Sequence, residues 1–430
     1  MEQKEILKIE NKINAEIFLP GSKSMTLRNF VLASLANGES EILRPAECDD
    51  ADRILEALKE LGIKIEKINN GLRIYGQGGK FAIGAKKLYL GGSGVSTRLL
   101  LAVAALRKDK TIIDGNKSLR ARPNKYLIDG LKNIGAEIKS QGGFLPAEII
   151  GKENFKKKIK MKGDVSSQYF TALLQIAPVL PNGLKIEVDG NLTSKPYIDI
   201  TINEMKKFGV NVENNNYRSF FVPPQKYQPT KVMVEGDGSA ASYFMALSTI
   251  HNGTIILKNL SKNSVQGDLQ FYKICKKLGA KVELSDSEIK IIGPKNGALN
   301  SLRKIDMEDI PDTATTLMAI APLIPGKTLI TGIANLRLKE CDRISAPAAE
   351  LKKLGVKVRE GKDFIEIGEK KDFSDIDFLK ISIDTYDDHR MAMSFAVLGT
   401  KIGNLKINDP SCVNKTFPRF WETSEDMSRN

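Results

Sequence analysis

Five stretches of this chain align on a glycine and read alike: "ALKELGIKIEKINNGLRIYG", "GLKNIGAEIKSQGGFLPAEIIG", "EMKKFGVNVENNNYRSFFVPP", "ICKKLGAKVELSDSEIKIIGP" and "ELKKLGVKVREGKDFIEIGE". Each is a helix end, a glycine suited to the left-handed residue after a helix, an alternating strand, a turn and a second alternating strand. The glycines Gly62, Gly135, Gly209, Gly279 and Gly355 stand 70 to 76 residues apart, and "SFAVLGTKIGNLKIND" reads as a sixth, degenerate copy. A repeat of that length is one supersecondary unit, so the expected fold is α/β, built as a six-fold repeat.

A second helix recurs between these segments, at "GGSGVSTRLLLAVAAL", "GDVSSQYFTALLQIA", "EGDGSAASYFMALST", "IPDTATTLMAIA" and "YDDHRMAMSFAV". Ordinary capping explains the Gly, Ser and Asp at any one start. It does not explain why Lys23, Arg28, Arg98, Arg122 and Arg390 fall at the same places. A helix N-terminus carries free N–H groups and about half a positive charge, so several converging on one cleft would attract anions strongly.

With 430 residues, 41% hydrophobic and 27% charged, the chain can bury two or more cores. No apolar run reaches the ~18 residues of a membrane span, and the N-terminus "MEQKEILKIE" does not read as a secretory signal. Cys48, Cys275, Cys341 and Cys412 are scattered, with only His251 and His389 as possible imidazole ligands. This composition predicts a reduced, cytoplasmic protein with no membrane contact, no metal and no cofactor. The net charge of +13 admits nucleic acid or small polyanions as partners. The lysines lie in segments such as "ELKKLG" without interleaved aromatics, which argues against nucleic acid.

The segment "LPGSKSMTLR" places Lys23 and Arg28 around hydroxyls at a predicted helix start, with Ser22, Ser24 and Thr26 as candidate caps and Asn37-Gly38 as the stop. It lacks the glycine spacing of a Walker motif. In order along the chain, "GSKSMTLR", "LGGSGVSTR", "RARP", "GDVSSQYFTALL", "SKPYIDI", "VEGDGSAASYF", "IPDTATT", "NLRLKECDR", "YDDHRMAM" and "KTFP" resemble the motifs of the 5-enolpyruvylshikimate-3-phosphate (EPSP) synthases. That resemblance implies two domains of three βαβαββ units each, of the inside-out α/β barrel type. Residues 21–232 would form the first domain and residues 1–20 with 233–430 the second, joined by two crossover strands as a hinge.

The resemblance further implies transfer of an enolpyruvyl group from phosphoenolpyruvate to shikimate 3-phosphate by addition and elimination, in a monomer. Shikimate 3-phosphate would meet Lys23, Ser24, Arg28, Ser166, Ser167, Gln168, Ser194, Asp312, Asn335 and Lys339. Phosphoenolpyruvate would meet Lys23, Gly94, Arg122, Gln168, Arg343, Arg390 and Lys415, with the herbicide glyphosate competing there. Lys23, Asp312 and Glu340 carry the implied catalytic roles: electrostatic stabiliser, partner of the attacking hydroxyl, and proton donor and acceptor at the methylene. Gly92 and Val95 stand where the family pattern has Asn and Thr, which removes two side-chain polar groups near the donor. His389 is weighed as a hydrogen bonder or a catalyst, Cys341 as a packed thiol, and His251 carries no functional signal.

Two other readings are weighed. A UDP-N-acetylglucosamine enolpyruvyl transferase should carry Lys-Asn at Lys23-Ser24 and a reactive cysteine near "DGNKSLRARP", yet residues 111–125 contain no cysteine. A basic nucleic-acid-binding repeat protein should show a charged stripe with stacking aromatics, and neither is visible.

Overall fold

The computed structural model describes residues 2–370 and 372–429. The chain divides into two compact units, Gly21–Val234 and Met1–Pro20 with Glu235–Asn430.

One repeat of the unit Gly21–Val234 illustrates the rest. Strand Lys86–Tyr89 leads through helix Gly94–Ala104 to the parallel strand Thr111–Asp114, with Tyr89 opposite Asp114. A parallel neighbour needs such a crossover. Helix Lys125–Ile134 follows, then the antiparallel pair Glu137–Ser140 and Ala147–Ile150, whose second strand pairs back on Thr111–Asp114. The spatial order is therefore first, second, fourth, third. The same order recurs from Lys158–Lys162 to Ser219–Val222. The sheet of Asn37–Leu43 instead takes its parallel edge from Lys231–Met233, at the far end of the unit, with Val232 opposite Ile42. That pairing holds the chain in this unit through Val234, two residues past the expected crossing at 232.

The other unit follows the same plan with a displaced first strand. Asn14–Phe18 pairs parallel with Thr254–Lys258 from across the sequence, and Lys304–Asp306 opens a second four-stranded sheet. The degenerate sixth copy has three strands: Ser382–Ile383 parallel to Leu405–Asn408, with Gln3–Ile6 antiparallel on the other side. Here the N-terminal strand stands where the other copies have a closing hairpin.

The repeat glycines have φ of 87°, 126°, 78°, 105° and 70°, the left-handed conformation that ends each outer helix. At Gly62 a Cβ would also lie 2.8 Å from that of Ala82. Outer helices such as Asp49–Glu60 are amphipathic, whereas the inner ones are apolar nearly all round, and inner helices are buried for that reason. Lys23–Leu35, Gly94–Ala104 and Ser167–Ile176 pack on one another in one unit, and Gly238–Ile250, Ala314–Ile320 and His389–Ile402 in the other. Each buried Leu or Phe contributes about 1.5–3 kcal/mol, so the core holds these helix starts rigidly. Among the described residues no helix is long and apolar enough to cross a membrane.

Candidate functional site

In the unit containing both termini, charges gather at the starts of the inner helices. Asp312 lies on the turn Pro311–Thr313 that leads into Ala314–Ile320. Its Oδ1 accepts from Lys339 Nζ at 3.0 Å and Arg343 Nη1 at 3.4 Å, and its Oδ2 from Arg390 Nη2 at 2.9 Å. Burial alone would raise this carboxyl, but Arg390, Lys339 and Arg343 together hold it well below the usual carboxylate range. Asp312 is thus ionised at neutral pH.

Arg343 is nearly fully buried and meets three carboxylates. Nε and Nη2 donate to Asp388 at 2.7 and 3.0 Å, and Nη2 also to Glu340 Oε2 at 2.7 Å. Burial pulls its proton affinity down, but Asp388 and Glu340 outweigh it and raise it. Glu340 Oε1 lies 3.4 Å from Lys415 Nζ, on the turn Pro410–Lys415. Asp388 also caps His389–Ile402 by accepting from the Arg390 N–H at 2.9 Å. The segment carrying Asn335, Lys339, Glu340 and Arg343 is pinned by Arg337, which donates to Asp342 at 2.6 Å, and by the Arg343 N–H bonded to the Leu336 carbonyl. Asn335 sits on its turn Ala334–Leu338. Cys341 Sγ donates to Asp388 at 3.4 Å, and burial pushes its thiol far up, which makes it a poor nucleophile. His389 is buried 3.8 Å from Asp388.

The unit Gly21–Val234 carries a second cationic group. Lys23 opens helix Lys23–Leu35 and pairs with the buried Asp50 at 3.1 Å. Arg98 Nη1 donates to Gln168 Oε1 at 3.3 Å, and Arg122 Nη2 lies 3.5 Å from Ser118 Oγ. Gly94 opens its helix against both arginines, since a Cβ there would lie 2.3 Å from Arg98 Nη1 and 2.9 Å from Arg122 Nη1. Ser166 caps Ser167–Ile176 by accepting from the Gln168 N–H, and Ser167 is buried at its first position. Ser194 holds φ of 54°, a strained conformation for a serine and one that collects at binding sites.

Arg28 is 1% exposed. It donates to the Ser24 carbonyl, Thr201, Thr171 and the Tyr197 carbonyl. Burial lowers its proton affinity, to a pKa of about 10. Two of the hydroxyls expected to cap its helix do not do so. Ser22 occupies the cap position without a side-chain bond, and Thr26 accepts instead from the Ala46 N–H. The helix ends at Leu35, before Asn37, because Asn37–Leu43 is already a strand.

The structure therefore joins Asp312, Lys339, Glu340, Arg343, Arg390 and Lys415 in one ion-pair network, and places Gly94 against Arg98 and Arg122 in the other unit. Sequence reading left out Asp388 and Asp50. Asp388 had a signal, as the acid directly before a predicted helix with a basic start; Asp50 had none beyond its place in the first turn of Asp49–Glu60.

The chain matches the family model of EPSP synthase (3-phosphoshikimate 1-carboxyvinyltransferase) over residues 7–424. It is 41% identical over 426 residues to the 3-phosphoshikimate 1-carboxyvinyltransferase of Colwellia psychrerythraea, covering 97% of each chain. To that of Buchnera aphidicola it is 39% identical over 432 residues, covering 98% of each. Among solved structures it is similar to the EPSP synthase of Acinetobacter baumannii, with a TM-score of 0.80 at 26% identity, over 99% of this chain and 98% of that one. The enolpyruvyl transferase NikO of Streptomyces tendae shares the fold, with a TM-score of 0.76 at 12% identity over 98% of this chain and 96% of that one. These matches leave the UDP-N-acetylglucosamine and nucleic-acid readings without support, and the chain belongs to the EPSP synthase family.

Proposed function

We propose that this protein transfers the enolpyruvyl group of phosphoenolpyruvate to the 5-hydroxyl of shikimate 3-phosphate, releasing phosphate, as a step toward the aromatic amino acids. The observation that carries the reading is Asp312, a partly buried carboxylate kept ionised by Lys339, Arg343 and Arg390 in a chain of this family.

In the addition step the 5-hydroxyl gives up its proton toward Asp312 as its oxygen bonds to the donor's second carbon, and the donor's methylene takes a proton from Glu340. In the elimination step the bond to the phosphate oxygen breaks and the new methyl loses a proton. Asp312 accepts from the attacking hydroxyl, for which its ionised state is suited. Glu340, held between Arg343 and Lys415, serves the methylene in both directions, and Lys23 stabilises charge at the bridging oxygen. Shikimate 3-phosphate contacts Ser24, Arg28, Ser166, Ser167, Gln168, Ser194, Asn335 and Lys339 besides Lys23 and Asp312. Gly94, Arg122, Arg343, Arg390 and Lys415 serve phosphoenolpyruvate with Lys23 and Gln168, and glyphosate competes for that place. Arginine forks and lysines neutralise the anions. The protein works as a monomer in the cytoplasm, a placement supported by four free thiols.

Phosphate release with shikimate 3-phosphate and phosphoenolpyruvate tests the reading, with UDP-N-acetylglucosamine as the comparison acceptor. Turnover with shikimate 3-phosphate alone is expected; turnover only with the nucleotide sugar would overturn it.

A further inference from the structure

The hydroxyl of Ser239 stands between two charged groups. Its Oγ donates to Asp268 Oδ2 and accepts from Arg390 Nη2 at 3.3 Å. A serine hydroxyl has a single proton. With that proton committed to Asp268, only lone pairs face Arg390, so the carboxylate decides which way the hydroxyl points. The charge on Asp268 also makes the oxygen a better acceptor, because linked hydrogen bonds polarise one another.

Asp268 is itself held in place. It is buried on the turn Gly267–Gln270, directly after Gln266. The Gln266 amide accepts from the Gly238 N–H at 2.9 Å and donates to the Gly236 carbonyl at 2.8 Å, clipping this segment to the start of Gly238–Ile250. Arg390 also meets Asp312 through Nη2 at 2.9 Å and the Tyr243 hydroxyl through Nη1 at 3.4 Å. Asp312 also accepts from Lys339 and Arg343, so it alone does not fix the plane of the Arg390 guanidinium. Ser239 supplies a second direction on the same nitrogen.

We propose that Asp268, acting through Ser239, is a positioning residue that sets the orientation of Arg390 toward phosphoenolpyruvate. The proposal rests on reading Arg390 as a contact of that substrate. Asp268 touches no substrate in this account; it acts only through the serine hydroxyl.

The test compares Asp268→Asn, Ser239→Ala, Ser239→Thr and the double variant Asp268→Asn with Ser239→Ala. Losing one hydrogen bond to a charged group implies a roughly tenfold rise in KM for phosphoenolpyruvate in Asp268→Asn and Ser239→Ala. The kcat and the KM for shikimate 3-phosphate should stay within about twofold, and Ser239→Thr, which keeps the hydroxyl, should stay near wild type. The double variant should be no worse than Ser239→Ala, because residues acting in one chain are not additive. A second measurement needs no turnover: the Nε–Hε signal of Arg390 in NMR, assigned with Arg390→Lys, should shift in both single variants. An unshifted signal in Asp268→Asn, or multiplying effects in the double variant, overturns the proposal. Should the wild type fail to turn over these substrates, the proposed reaction falls, and the Arg390 signal still decides the positioning claim.

Discussion

Arg343 grips Asp388 with two hydrogen bonds, Nε to Oδ2 at 2.7 Å and Nη2 to Oδ1 at 3.0 Å, across 45 positions of sequence. The same Asp388 Oδ1 accepts the N–H of Arg390, so one buried carboxylate fixes the backbone at one arginine and the side chain of another. Both groups of the pair lie almost wholly out of water. Neutralising one member leaves the other charge buried with less compensation, which costs about 3 kcal/mol in such pairs. Asp388→Asn should therefore lower the urea midpoint by an amount equivalent to about that stability, and should weaken turnover too. A wild-type midpoint would show that Glu340 and Asp312 alone suffice to hold Arg343.

Lys23 and Asp50 give a prediction that separates folding from chemistry. Lys23→Met keeps most of the side-chain volume but removes the cation, and if Lys23 serves the reacting anions as proposed, turnover should fall by at least ~100-fold, the usual effect of losing one such group. It also strips Asp50 of its partner at 3.1 Å. Adding Asp50→Asn should recover stability without recovering activity. Recovery of turnover in the double variant would mean that Lys23 serves only the ion pair.

These pairs mark the limit of what could be read from sequence. The repeat glycines and the Ser- and Asp-rich helix starts are local signals, set by φ and by orphan N–H groups, and the elements around them appear where those signals place them. The pairing of Gln3–Ile6 with Leu405–Asn408 is not local, and no periodicity in either strand names the other. The burial of Arg28 among Thr171, Thr201 and Tyr197 was equally invisible, because a basic residue in a first turn reads the same whether it faces a ligand or a neighbouring helix. Ser22 looked like a cap on composition alone. Its backbone occupies the cap position, yet its side chain does not bond there.

His251 should make the fold acid-sensitive. Its Nε2 lies 2.9 Å from Thr400 Oγ1, whose own proton goes to the Val397 carbonyl at 2.7 Å, so Nε2 carries a hydrogen and the neutral ring is accommodated. Burial, with Lys401 adding to it, holds the imidazole down to about 4 against its ordinary 6.5. Above pH 6.5 the ring is neutral in both states and contributes no pH dependence. As pH falls below 6.5 the unfolded chain takes up a proton that the folded one refuses, so stability drops until about pH 4, by about 3 kcal/mol for a shift of that size. His251→Gln should flatten the stability profile over this window, measured by denaturation at pH 7 and pH 4.5. An equal drop in the variant would assign the acid sensitivity elsewhere.

Gly94 opens helix Gly94–Ala104 with a φ outside the left-handed region, so an alanine there suffers no backbone strain. Alanine is even the better helix former, by up to ~1 kcal/mol. What it meets is charge: a Cβ would lie 2.3 Å from Arg98 Nη1 and 2.9 Å from Arg122 Nη1. Both guanidiniums are ends of flexible side chains and can withdraw, so Gly94→Ala should keep its melting temperature while pushing Arg98 and Arg122 aside. If this glycine borders the phosphoenolpyruvate place, the longer glyphosate meets the methyl and the shifted arginines first. The ratio of the glyphosate inhibition constant to the KM for phosphoenolpyruvate should then rise at least about tenfold, within the range one added carbon can impose in a tight pocket. Turnover at saturating substrate should change far less. The measurement is inhibition kinetics and a thermal melt on the same preparation. A stable variant with an unchanged ratio would remove Gly94 from the donor site and leave it as packing room for two arginines.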